Sequence, residues 1–433
     1  MTIVISLLVV AGFSLLLWKA PFFRSTGLKS WQVVCAFYVK LLVAVVFCVV
    51  FTNYPAYKNQ SDSQAFYRSA AQFAAIAHEN FGDYVRASFH IPVKTPEIRE
   101  KLPKIDYWNR PYDNSMPNDT RQTLILYSWV YLVSFGSLPV MLIVANFLAF
   151  CGLFALFKAF LLWLRLRSAT VTPVVERSRN VLSACIACFA IPSTLFWSSG
   201  LLKEVWLLFF MGFTVYSSTM FFTTKNLRFA IFALLWGIAL LHIKIYIALC
   251  LLPLLGIYAI RTQWNKPKAI VFYGSTCTVF IFCAFCAFWF LNFNIVEILV
   301  QQRNTFIRML EAHNHATIIL QTFDTSSNFV AQIFVGLWNV LLRPNMFNTQ
   351  NVFVFFAGLE NTIIAVLIMY SIIVWAKNRV AVNDYTIVMI AFVLAVCVII
   401  GFTTPNMGAL MRYKSPLLPF VVVLLHNSKK NVT

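Results

Sequence analysis

Apolar runs long enough to cross about 30 Å of hydrocarbon recur along this chain, and nothing limits its fold more. They include Thr2–Trp18, Trp31–Thr52, Leu138–Leu164, Glu204–Phe222, Val352–Ala376 and Tyr385–Ile400. In lipid every backbone N–H and C=O must find a partner within the protein, which leaves helices or a closed barrel. Runs of this length are helical. With 60% hydrophobic residues, 16% aromatic and only 11% charged, the chain is not a water-soluble globule. The expected fold is an all-α polytopic membrane protein, a single integral membrane domain over residues 1–433.

The net charge of +19 raises nucleic acid as a partner. Its distribution excludes that reading, because Lys and Arg collect in short segments between apolar runs, as the positive-inside rule requires. Lys19, Arg24 and Lys29 follow the first run. Arg165, Arg167, Arg177 and Arg179 follow Leu138–Leu164. Lys225 and Arg228, then Arg261, Lys266 and Lys268, then Lys377 and Arg379, then Lys429 and Lys430 mark four further segments, with Glu176 and Asp384 as the opposing charges. Placing all six in the cytoplasm sets the N-terminus outside, the C-terminus inside and about eleven transmembrane helices. The remaining spans are Val181–Trp197, Phe229–Leu241, Ile245–Ile260, Ala269–Phe290 and Pro416–Leu425. Lys40, in the middle of Trp31–Thr52, is expensive there unless it faces the protein interior.

This topology leaves a large first extracytoplasmic loop, residues 53–121, and a second, residues 291–351. The first carries nine basic and eight acidic residues, without the basic bias of a cytoplasmic segment. Thr123–Phe135 is too short to span, and crossing there would put four arginines outside, so it reads as an interfacial helix. None of the ten cysteines falls in the first loop, and no structural disulfide is expected there. Cys185-x-x-Cys188 and Cys283-x-x-Cys286 have redox spacing but no flanking charge to lower a thiol pKa, and read as buried apolar positions. The N-terminus lacks the basic region and small-residue cleavage site of a signal peptide, and reads as a retained helix.

Polar residues at the outer ends of the spans are Asp62, Lys203, Glu204, His242, Lys244, Arg343, Asn406, Arg412, Tyr413 and Lys414. Each has a plain alternative. A lysine at a span end is usually an interfacial anchor. His242 fits a satisfied core histidine, and Asp62 a loop carboxylate or an N-cap before a helix over Gln64–Ala77. Together they run against the charge bias, because five cations stay where such residues are depleted. Cations in that place suit a phosphate or pyrophosphate at the membrane surface. Asp62, about ten residues past the end of a span, is placed to take a proton from an attacking hydroxyl. Glu204 is the reserve base. Asp83, Asp106, Asp113 and Asp119 lie farther along the loop and read as turn or surface positions.

Five local patterns resemble the multi-pass GT-C glycosyltransferases, the class of the dolichyl-phosphate-mannose protein mannosyltransferases and the bacterial lipid A aminoarabinose transferases. They are Asp62-Ser63-x-x-Phe66-Tyr67, Arg121 through Phe135-Gly136-Ser137 with Asn146, and Phe189-Ala190-Ile191-Pro192-Ser193 with Phe196-Trp197-Ser198 and Lys203-Glu204. The others are Gly237 through His242-Ile243-Lys244 with Pro253, and Asn406-Met407-Gly408 with Arg412-Tyr413 and Pro416. Lys244 stands where the family has arginine, no proline follows it, and a double-acidic start is reduced to Asp62. An extra N-terminal span and the lack of a soluble C-terminal domain are further departures, as of a divergent bacterial-type member.

The resemblance implies an inverting transfer of sugar from a polyprenyl-phosphate-linked donor to a lipid, glycan or protein acceptor. It implies that Asp62 is catalytic or holds a divalent metal, and that Lys203, His242, Lys244, Arg343, Asn406, Arg412, Tyr413 and Lys414 bind substrate or phosphate. The corresponding localisation is a bacterial inner membrane. Two alternatives stay open: an O-antigen type polysaccharide polymerase or ligase, which needs no catalytic carboxylate, and a lipid-linked oligosaccharide transporter, which places ionisable groups at mid-membrane.

Overall fold

A computed structural model describes residues 2–24, 26–53, 61–109, 118–167, 173–263, 294–312, 318–324, 328–347, 352–378 and 384–426. The span Ala269–Phe290 and the residues Asp113, Lys266, Lys268, Arg379, Lys429 and Lys430 lie outside that set. The protein is all-helical among the described residues, and seven helices are long and apolar enough to cross a membrane. It is an integral membrane protein. The helices gather into two compact units, Met1–Ile245 and Tyr246–Thr433.

The first unit opens with α1 (Thr2–Lys19) and α2 (Ser30–Asn53), followed by four helices of the first loop: α3 (Asp62–Glu79), α4 (Phe81–Ser88), α5 (Pro96–Lys101) and α6 (Asp119–Val133). Then come α7 (Leu138–Arg167), α8 (Pro173–Phe189), α9 (Pro192–Trp197), α10 (Lys203–Thr224) and α11 (Leu227–Ile243). Only 6% of the α1 span is buried against 72% of the α7 span, so α1 turns its apolar side chains to lipid and α7 forms the core. Close approach of α7 to α10 depends on two glycines. A Cβ on Gly212 would stand 2.1 Å from the Gly152 carbonyl oxygen, and one on Gly152 would stand 2.3 Å from that of Leu208. Small residues let helix backbones pack closely where no hydrophobic force draws them together.

The span read over Val181–Trp197 is broken. Pro192 has no N–H and holds the preceding Ile191 extended, with φ −85° and ψ 111°, so α8 stops at Phe189 and a short helix restarts at Pro192. The released backbone groups find side-chain partners. Lys40 Nζ donates to the Leu195 carbonyl at 2.8 Å and to Ser199 Oγ at 2.7 Å. Asn146 Nδ2 donates to the Ser199 carbonyl at 2.9 Å. Lys40 thus faces the protein interior and is fully buried, and its charge serves a helix interruption.

The first loop is a folded helical layer with a core of its own, in which Phe73, Tyr84, Trp108 and Leu124 are buried together. Asp83, read from the sequence as a turn or surface position, is buried at its centre and accepts from the backbone N–H of Lys94 and Thr95, each at 3.0 Å. The Thr95 hydroxyl and then the Lys94 N–H hold its carboxyl below the usual range. Burial pushes the Tyr84 phenol up to about 12, and its hydroxyl shares a 2.8 Å hydrogen bond with Ser128. The helix expected over Thr123–Phe135 is present as α6, with bounds Asp119–Val133.

The second unit holds α12 (Ile245–Gln263), α13 (Ile295–Ala312), α14 (Phe329–Leu342), α15 (Val352–Asn378), α16 (Asp384–Thr403), α17 (Met407–Lys414) and α18 (Leu418–His426). Its tightest crossing repeats the glycine device: a Cβ on Gly401 of α16 would stand 2.4 Å from the Gly336 carbonyl oxygen of α14. Arg261 Nε donates to Asp384 Oδ1 at 2.7 Å, joining two segments that the charge pattern assigns to one side. Gly401–Lys414, between two spans of the sequence reading, is mostly helix. A short 3₁₀ turn at Ser415–Leu417 links α17 to α18, and Met407–Leu425 is long and apolar enough to be one of the seven spans.

Candidate functional site

Three helix starts converge in the first unit. Ser61 caps α3 by accepting from Ser63 N–H at 3.2 Å, which makes Asp62 the first helical residue rather than the cap. Asn118 caps α6 through Arg121 N–H, so Asp119 begins that helix. Leu202 precedes α10, whose first two residues are Lys203 and Glu204. The backbone ahead of α10 is held from both sides. Leu201 N–H donates to Ser63 Oγ at 2.9 Å, and Tyr127 hydroxyl donates to the Leu202 carbonyl at 2.8 Å. Ser63 therefore ties the residue next to Asp62 to the turn that delivers Lys203 and Glu204. Gly200 is required in that turn, because a Cβ there would come within 2.4 Å of the Phe47 ring.

The charged centre of this arrangement is Asp119. Lys203 Nζ lies 2.9 Å from Asp119 Oδ2 and donates to Thr120 Oγ1 at 2.7 Å. Lys244 Nζ, brought in by the end of α11, lies 3.7 Å from the same oxygen. The exposures of these side chains are 14% for Lys203, 8% for Lys244 and 17% for Asp119, so all three are largely withdrawn from water. A lysine at a helix start opposes the helix dipole. Lys203 holds that position with Asp119 and Thr120 against it, and two cations share one carboxylate. Glu204 is buried at 1% exposure beside them. Asp62 is exposed and accepts a 3.4 Å hydrogen bond from the Tyr107 hydroxyl.

Other residues read as site members lie elsewhere. His242 is exposed, and its Nδ1 meets the Ile238 carbonyl of its own helix at 2.9 Å, so it is neither a core histidine nor a neighbour of the lysine pair. In the second unit, Asn406 caps α17 through Gly408 and Ala409 N–H groups at 2.7 and 3.2 Å, a structural use of its side-chain oxygen. Lys414 is buried and donates to Val340 and Arg343 carbonyls and to Asn361 Oδ1, at 3.1, 2.8 and 2.7 Å. Its three ammonium hydrogens match those three acceptors, so Lys414 closes the end of α14 instead of presenting charge to a ligand. Arg343, Arg412 and Tyr413 are half-buried in that unit.

Among the described residues no group of three or more His, Cys, Asp and Glu side chains comes together. The described residues around Asp62 and Asp119 present no carboxylate cluster of the kind a divalent cation takes. Asp119, Thr120, Ser63 and Tyr127 are site members that the sequence reading missed. The signal for Asp119 was Asn118-Asp119-Thr120 ahead of an apolar helix, an N-terminal signature that places a carboxylate at a fixed end. No family model matches the chain, and neither a curated protein nor a solved structure matches it.

Proposed function

We propose that the chain is a polytopic membrane glycosyltransferase that moves a sugar from a polyprenyl-phosphate-linked donor to a lipid, glycan or protein acceptor, on the extracytoplasmic face of a bacterial inner membrane. The observation that carries the reading is the pair Lys203 and Lys244 gathered on one carboxylate, in a layer linked through Ser63 to the exposed Asp62 at the end of an apolar span. Two largely desolvated ammonium groups sharing one counter-charge suit a ligand that brings negative charge of its own. A lipid phosphate brings it at membrane-surface depth while its tail stays in hydrocarbon.

In this reading Lys203 and Lys244 take the donor phosphate and stabilise the charge that grows on it as the sugar leaves. Asp119 positions both lysines and keeps them paired when the donor is absent. Asp62 accepts the proton of the acceptor hydroxyl while the new glycosidic bond forms and the bond to phosphate breaks. Tyr107 holds the Asp62 carboxylate in place. The account needs no residue of the second unit in the chemical step. A transporter would use Lys40 for its cargo, whereas Lys40 is committed to Leu195 and Ser199; an O-antigen type polymerase would not need Asp62.

The test is Asp62→Asn in purified protein. Turnover falls about 10²–10⁴-fold while donor affinity is kept. A fully active Asp62→Asn with an inactive Glu204→Gln moves the base to Glu204, and activity in both removes the carboxylate mechanism.

A further inference from the structure

The second unit buries a guanidinium. Arg303 on α13 is 1% exposed, yet among the described residues it has no ion-pair partner. Its Nε and Nη2 donate to the Gln321 carbonyl, at 2.9 and 2.5 Å, and Nη2 also donates to Gln332 Oε1 at 3.0 Å. Among the described residues Nη1 is buried without a hydrogen-bond partner. The rings of Phe323 and Phe402 lie 5.9 and 5.4 Å from the guanidinium carbon. A plain structural role accounts for part of this, because neighbouring Asn304 also binds the Phe323 backbone on both sides, at 2.8 Å each, and the two residues clamp Gln321–Phe323 onto α13. That role needs donors and not a charge. Asparagine does it next door as a neutral side chain.

An arginine stays charged in any protein environment. A buried charge without a counter-charge is retained only at a cost to the fold, and residues kept at such a cost mark functional sites. We propose that Arg303 receives a phosphate group, with Nη1 and the face now held by Gln332 as the contacts. Gln332 is half-buried, and its amide is the part of the shell that an anion replaces with a gain in charge pairing. The helix carrying Gln332 exposes Val330, Phe334 and Trp338 at 60, 67 and 62%, at four-residue spacing along one face. Gln332 is turned to the other side of that helix, toward Arg303, so the stripe faces away from the Arg303 shell. The site belongs wholly to the second unit and does not rest on the glycosyl-transfer reading.

The experiment is thermal unfolding of the detergent-solubilised full chain with phosphatidylglycerol, diacylglycerol or inorganic phosphate added. Phosphatidylglycerol is expected to raise the wild-type Tm by about 2–4 °C over diacylglycerol, which lacks the phosphate, and Arg303→Gln to lose that rise. A rise with inorganic phosphate as well, also lost in Arg303→Gln, assigns the source to free phosphate. In case Arg303→Gln fails to fold, Gln332→Glu supplies a carboxylate internally. It is expected to raise the Tm without any addition and to abolish the response to phosphate-bearing additives. No response in the wild type, or a response unchanged in Gln332→Glu, overturns the proposal.

Discussion

The two units place a lysine at a helix end in opposite ways. Lys414 in the second unit spends its three hydrogens on two carbonyls and an amide oxygen, and closes a helix. Lys203 and Lys244 in the first unit divide a single carboxylate between them, with the nearer ammonium at 2.9 Å and the farther at 3.7 Å. The first arrangement is saturated. The second brings two ammonium groups to the same carboxylate oxygen, at a partly shielded position. Both patterns read the same in sequence, as a basic residue at the end of an apolar run, and only the acceptors tell them apart. A structural lysine is surrounded by acceptors in number equal to its hydrogens, and a lysine available to a ligand is balanced by something the ligand can replace.

The largest effect that separates the two is on stability. Lys414→Met leaves three buried acceptors without a donor, and unfolding free energy should fall by about 3 kcal/mol or more. Lys414→Arg does not restore it, because a planar fork does not fit three acceptors arranged around a point. Thermal unfolding followed by tryptophan fluorescence reads both, and a loss near zero breaks the comparison. Next comes donor affinity. Lys203→Met weakens binding of a polyprenyl-phosphate sugar about tenfold or more, in line with one charge-assisted contact, and the effect shrinks at high salt. Smaller still is Asp119→Asn, which costs about 1 kcal/mol of stability because the amide oxygen still accepts from Lys203 while the charge assistance is lost. In a double-mutant cycle Asp119 couples more strongly to Lys203 than to Lys244. Equal coupling would mean that the distances do not govern the pairing. The smallest effect is His242→Ala, within about 0.5 kcal/mol and without change in donor affinity.

Much of the architecture was legible because it follows from length and charge. Trp31–Thr52 and Leu138–Leu164 match α2 and α7 closely, since a run that must satisfy its backbone in lipid has only the helix to adopt. The pairing of Arg261 with Asp384 agrees with the charge pattern that put both on one side. Val181–Trp197 misled for a local reason: its apolar composition continues through Pro192, whose backbone breaks the helix, and the partners that make the break affordable, Lys40 and Asn146, are far away in sequence. The layer built by residues 61–133 was harder still. Its core is small and its helices short, so composition alone gives a loop.

Within the candidate site, Lys203 and Lys244 were legible as cations held against the charge bias of an outer face. Asp119 was not, because a carboxylate near asparagine and proline looks like a turn, and its value comes from two lysines 84 and 125 positions later in the chain. Asn406 and Lys414 shared the sequence pattern of Lys203 and Lys244 but serve helix ends. Asp83 was passed over for the same reason as Asp119, since backbone N–H partners leave no mark in a sequence.

The central claim is that the Lys203–Lys244 pair receives the phosphate of a lipid-linked sugar. Its most direct measurement is equilibrium binding of a radiolabelled polyprenyl-phosphate sugar to the purified full chain, comparing wild type with the triple variant Lys203→Met, Lys244→Met and Asp119→Asn. The triple variant removes both cations together with their counter-charge, so no unpaired carboxylate confuses the outcome. The account predicts saturable binding to the wild type and affinity reduced about 10²-fold in the folded variant, as expected for two lost charge-assisted contacts. Equal affinity in the two proteins, or no binding to either, would contradict it.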